Sequence, residues 1–152
     1  MTSPTDQPRL QAAIILVASL YAGVLLGCSF LATSVKFLAP TLTLPVALDV
    51  GRQTFQALLI VEWVLVVPLL ALTWFGCGLR ARATVIAVIL ILLAETFWLR
   101  PILDARVARI VAGQPVPPSI HHLVYGTCEL AKVLLLLSLA GAVAWRRPPQ
   151  TG

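Results

Sequence analysis

Apolar residues along the chain gather in four blocks, at residues 10–31, 55–74, 83–99 and 123–145, and most charged residues fall between them. Blocks of this length match the roughly 17–25 residues needed to cross a hydrocarbon core about 30 Å thick. No water reaches the backbone there, so each block must close its own hydrogen bonds as a helix. Pro68, inside the second block, and Glu95, near the end of the third, do not break this reading, because neighbouring helices can re-satisfy a carbonyl freed by proline. The pattern predicts an all-α protein, a single-domain four-helix transmembrane bundle with crossings of about 20°.

The segments between the blocks are uneven. Residues 36–54 carry Pro40, Pro45 and the run Asp49-Val50-Gly51-Arg52; residues 75–82 form a short turn; residues 100–122 contain Pro101, Gly113, Pro115, Pro117 and Pro118. Within the last segment, Ile102, Arg106, Arg109 and Gly113 have the spacing of a short interfacial helix that stops at the glycine. Asp49, Arg52, Arg100, Asp104 and Arg106 are expected at the membrane–water boundary.

Composition supports lipid as the surrounding solvent: 59% of residues are hydrophobic and 11% charged, too little charge to coat a water-soluble domain of this size. The formal charge of +5 would suggest nucleic acid in a soluble protein. Here the basic residues flank apolar blocks, so lipid headgroups are the expected contact, and no basic and aromatic platform for nucleic acid is present. Cys28, Cys77 and Cys128 are an odd, scattered set that reads as helix packing. Leu25-Leu26-Gly27-Cys28 has the form of a lipoprotein cleavage box, but the apolar run continues through Phe30 and Leu31, so the first block is expected to remain as a span. We expect a bacterial inner-membrane protein with both termini cytoplasmic, since Arg80-Ala81-Arg82 and Arg146-Arg147 cluster at span ends on that side. The polar tails, residues 1–9 and 146–152, are expected to be mobile.

The ionisable residues inside the blocks carry the chemistry. Helices alternate in direction, so Glu62, Glu95, Glu129 and Lys132 all fall in the half of the bilayer nearer the two longer connections, with Lys36 at its rim. At 100° per residue, His121, His122, Tyr125, Cys128, Glu129 and Lys132 share about a third of the fourth helix's circumference. Ser29, Thr33 and Lys36 make a second polar stripe on the first span. Charge in hydrocarbon costs several kcal/mol, so these faces should turn towards each other. The expectation is one polar pocket formed by Lys36, Glu62, Glu95, His121, His122, Tyr125, Glu129 and Lys132.

Several chemistries suit that set. The glutamates can pair with Lys132, Lys36 and the rim arginines and simply lock the bundle. Glu129 and Lys132, at i and i+3, can form an intrahelical salt bridge or, with Tyr125, a proton relay. A metal held by His121, His122, Glu62, Glu95 and Glu129 is the alternative, although the Glu-x-x-His pair of di-iron bundles is missing. No histidine lies deep enough in a span to suggest haem, and no cofactor is assigned. Ser19, Gly23 and Gly27 form a small-residue series suited to close helix contact. Trp74, Trp98 and Trp145 fall near span ends, as an aromatic belt would.

The stretch from Gly23 to Lys36-Phe37 with Pro40, and Ser119-Ile120-His121-His122 leading into a polar-faced helix, resembles the transmembrane protein 205-like family of small four-span membrane proteins. The chain departs from that family at Leu48 to Phe55 and at Glu62. The resemblance implies fold and location and no reaction. The leading functional expectation is a small membrane protein that binds or moves a small solute or proton, or assembles as a homo-oligomer or with membrane partners. The alternatives are a metal-dependent oxidoreductase and an accessory subunit of a larger complex.

Overall fold

The computed structural model describes residues 6–145. Four helices run through it: α1 (Gln7–Lys36), α2 (Leu44–Gly76), α3 (Leu79–Val111) and α4 (His121–Ala144). Each is long and apolar enough to span a membrane, and no strand occurs among the described residues. Most of each span faces outward even though it is apolar; Leu16, Val64, Leu90, Phe97 and Leu134 are all exposed. A water-soluble fold would hide such a surface, whereas acyl chains match it. The chain is a multi-pass integral membrane protein.

Neighbours in sequence pack as neighbours in space. α1 lies against α4 and α2, α2 against α3, and α3 against α4, which closes the ring. The inward residues step by four and three: Ile14, Ala18, Tyr21 and Leu25 on α1; Ala81, Val85, Val88, Leu92, Glu95 and Leu99 on α3; Tyr125, Glu129, Lys132, Leu136, Leu139 and Val143 on α4. This is the seam spacing of a left-handed bundle. The small residues at the seam of α1 are Ala18 and Ala22, both buried. Ser19 and Gly23 are exposed, and a side-chain carbon added at Gly23 or Gly27 would touch nothing. The expected Ser19–Gly23–Gly27 contact face therefore turns away from the bundle, one residue out of register with the real one.

The helices are longer than the apolar blocks. α2 begins at Leu44, with Pro45 in its first turn, where the missing N–H costs no helix bond. It stays helical through Asp49 and Arg52 because these pair along its surface at 2.7 Å while Ala47 and Gly51 face inward. The anticipated interfacial helix forms at Arg100–Val111, but as a continuation of the third span. Pro101 removes the N–H that the carbonyl of Phe97 would accept in an α-helix. The chain absorbs this by widening to a π-helical turn at Glu95–Leu99. α1 carries a second π-helical stretch at Leu26–Ala32. Gly113, at φ +71°, ends α3 as expected. Its N–H donates to Ile110 O and that of Gln114 to Arg109 O, both at 3.0 Å, which caps the last carbonyls. Arg106 and Arg109 then donate to Pro117 O and Pro115 O, strapping the proline-rich loop onto the helix.

We call the end holding Gln7, Ala144 and the Gly76–Leu79 turn the near side, and the opposite end the far side. Arg80 and Arg82 belong to the near side, where Arg82 Cζ sits 5.3 Å from the centroid of the Trp74 ring. Arg146, Arg147 and most of the polar tails lie outside the described residues.

Candidate functional site

Polar side chains from all four helices meet inside the bundle, one each from α1, α2 and α3 and two from α4. Lys132 Nζ of α4 donates to Glu62 Oε2 of α2 and Glu95 Oε2 of α3, both at 2.5 Å, and to Glu129 Oε1 of its own helix at 3.2 Å. Tyr21 of α1 donates its hydroxyl to Glu62 Oε2 at 2.8 Å. All five residues are buried, none more than 2% exposed. By helical rise they lie about 18–24 Å from the near-side helix ends, a common level close to the middle of the three longer helices, which run on past the apolar blocks on the far side.

Their convergence follows from the seam. Tyr21, Glu62, Glu95, Glu129 and Lys132 occupy inward positions that otherwise hold Leu, Val, Ile and Ala. Charged side chains there have no lipid-facing alternative of lower energy, so they find one another. Between the cluster and the near side the interior is filled by Ile14, Leu69, Val85, Leu136 and Val143.

The cluster is charge-imbalanced. One ammonium faces three carboxylates, a formal excess of two negative charges if every acid is ionised. Glu62 Oε1, Glu95 Oε1 and Glu129 Oε2 are buried without a hydrogen-bond partner. Buried polar atoms are nearly always paired, so three orphaned oxygens in one cluster require an explanation.

The structure does not unite all eight expected pocket residues. It separates them into two layers, because aromatic side chains fill the space between. Lys36, expected to pair with the glutamates, sits at the far-side rim with Nζ 5.1 Å from the Phe37 ring centroid and 5.9 Å from that of Phe55. His122 shares a rim cavity of about 280 Å³ with Lys36, Arg52, Phe55 and Asp104. His121 Nδ1 lies 2.9 Å from Ser119 Oγ. Tyr125 lies between the layers: its ring packs against Phe55 with centroids 4.9 Å apart and planes tilted by 58°, one turn above Glu129. The rim arginines do not reach the glutamates either. Arg52 pairs with Asp49, and Arg100 pairs with Asp104 at 3.5 Å and donates to Phe55 O.

The five residues considered for a metal are divided in the same way. Glu62, Glu95 and Glu129 offer oxygens within 4.8 Å of one another. His121 and His122 lie roughly 10–12 Å further along α4 by helical rise and do not join them. The remaining oxygen-only set suits a hard cation. Lys132 Nζ, within hydrogen-bond distance of all three acids, already supplies positive charge at that point. The histidines and glutamates therefore do not fit a shared metal centre.

Tyr21 was not singled out by its sequence context. The signal was available: it is the one side chain with a polar tip on the α1 seam Ile14–Ala18–Tyr21–Leu25. No protein-family model matches the chain, and neither a curated protein nor a solved structure matches it.

Proposed function

We propose that this is a proton-binding membrane protein whose buried cluster of Glu62, Glu95, Glu129 and Lys132 exchanges protons with the far side. The observation that carries the reading is the pairing of one ammonium with three acids, three of whose oxygens are orphaned. Burying two uncompensated charges in a medium of low dielectric is prohibitive. Two bound protons make the cluster neutral, and each also gives a carboxyl group a hydrogen that a neighbouring oxygen can accept. On this reading the proton route follows α4 from His122 at the rim cavity to Glu129 by way of Tyr125, which lies between the two layers. Tyr21 holds Glu62 in place from the opposite helix.

Reconstituted protein should show this by infrared difference spectroscopy under buffers stepped between acid and alkaline pH. The expected result is a protonated-carboxyl band that appears and disappears reversibly, with part of its amplitude lost in Glu129→Gln while the helical amide bands stay unchanged. An identical difference spectrum in the wild type, Glu62→Gln, Glu95→Gln and Glu129→Gln removes the reading. Loss of thermal stability with no carboxyl band leaves the cluster as a lock that holds the bundle together.

A further inference from the structure

The rim cavity has chemistry of its own. It lies where the far-side ends of all four helices meet and is lined mainly by Phe37, Leu48, Phe55, Leu103 and Val107. Into this apolar space the structure places two cationic side chains with unused donors. Lys36 Nζ makes no hydrogen bond or ion pair among the described residues, and its nearest aromatic neighbours, Phe37 and Phe55, are cavity walls. Arg52 uses one terminal nitrogen on Asp49, while its Nε is buried without a partner. The other charges cancel locally: Asp49 answers Arg52, and Arg100 answers Asp104. Lys36 is thus the uncompensated charge of the cavity. Gly51 leaves room for it: a side-chain carbon at that position of α2 would meet the Lys36 amine, which would have to shift.

We propose that the rim cavity binds a small monoanion with an apolar body, its acid group on Lys36 and the Arg52 guanidinium and its body against Phe37, Phe55 and Leu103. An apolar cavity of about 150 Å³ holds benzene. The volume here, about 280 Å³, therefore admits roughly ten non-hydrogen atoms, the size of an aryl-alkyl carboxylate or of an anionic lipid headgroup with the first part of its chain. A neutral molecule of the same shape leaves both donors unpaired, and a cation meets Lys36 directly. None of Glu62, Glu95, Glu129 and Lys132 lines this cavity, so the site is distinct from the buried cluster. Anion binding at the rim does not depend on proton exchange in the cluster below.

The probe is hydrocinnamate, with hydrocinnamyl alcohol as its neutral counterpart, titrated by calorimetry into the full chain in nanodiscs of zwitterionic lipid. Saturable binding of the acid is expected, with the alcohol failing to compete. Lys36→Gln should weaken the acid by at least about tenfold, as loss of a charge-assisted hydrogen bond implies, and Lys36→Arg should largely restore it. Nanodiscs containing anionic phospholipid distinguish the source of the natural ligand. If the lipid is the occupant, hydrocinnamate binding falls there and native mass spectrometry finds an anionic lipid retained by the wild type and released by Lys36→Gln. Equal affinity of wild type and Lys36→Gln overturns the proposal, as does the absence of both hydrocinnamate binding and a retained anionic lipid.

Discussion

Replacing Lys132 with Met tests the central cluster most severely, because one nitrogen serves three acids. At an effective dielectric of about 20, contacts of 2.5–3.2 Å are each worth about 5 to 7 kcal/mol of Coulomb attraction. Carboxylate oxygens within 4.8 Å of each other repel by at least about 3.5 kcal/mol per pair. There are three pairs of each kind. Without the ammonium, three ionised acids would face about 10 kcal/mol of uncompensated repulsion, as much as a typical domain's whole stability. Lys132→Met can therefore fold only with protons on its acids. Its measured cost should then be that of a broken buried pair, about 3–5 kcal/mol. Adding Glu62→Gln to it removes one of the acids that must take up a proton for the variant to fold, so the double variant should be more stable than the sum of the two single effects by at least about 1 kcal/mol. Equilibrium unfolding by denaturing detergent in mixed micelles reads both quantities. If Lys132→Met costs less than about 1 kcal/mol, or the two substitutions simply add, the side chains do not share the close contacts described above.

Two further substitutions probe the supports of the site. Tyr21→Phe deletes the donor to Glu62 Oε2 and leaves a buried acceptor short of a partner; the same unfolding assay should register about 1–3 kcal/mol. Gly113→Ala puts a side chain at φ +71°, which costs about 1–2 kcal/mol. It should also speed hydrogen exchange at the Gln114 N–H that caps α3, while leaving exchange in α4 unchanged.

The parts of this protein that were legible in its sequence are those set by the bilayer. Four apolar blocks demand four helices, and alternating direction then fixes which charges share a depth. Glu62, Glu95, Glu129 and Lys132 could be grouped on that basis alone. What could not be read was the exact rotation of each helix and the packing between polar groups. Lys36 and His122 lie on polar faces near the same end of the bundle, yet Phe55 and Tyr125 stand between them and the acids. Apolar residues of α1 give no hint of which are inward, so Ser19 and Gly23 suggested a contact face that Ala18 and Ala22 supply. Helix ends were also hidden, because Asp49 and Arg52 look like a loop until they are seen to pair along a helix surface.

Locking the bundle and binding protons place different demands on the cluster, and its composition separates them. Helices in lipid gain nothing from hiding apolar surface from one another, so packing and interhelical hydrogen bonds must set their register. Sliding any one helix by a turn would move Glu62, Glu95 or Lys132 against a leucine or valine of the seam, at the cost of an unpaired buried charge. For that purpose one lysine and one glutamate on different helices are enough. Two of the three acids are surplus to it, and an arrangement selected for rigidity alone would replace them with apolar residues of similar volume at no loss. The surplus falls at a single level, on the side of the hydrophobic interior that faces the rim cavity with Lys36 and Arg52. Acids in excess of their base and shielded from lipid are what the proposed proton exchange requires, whereas a lock does not need them.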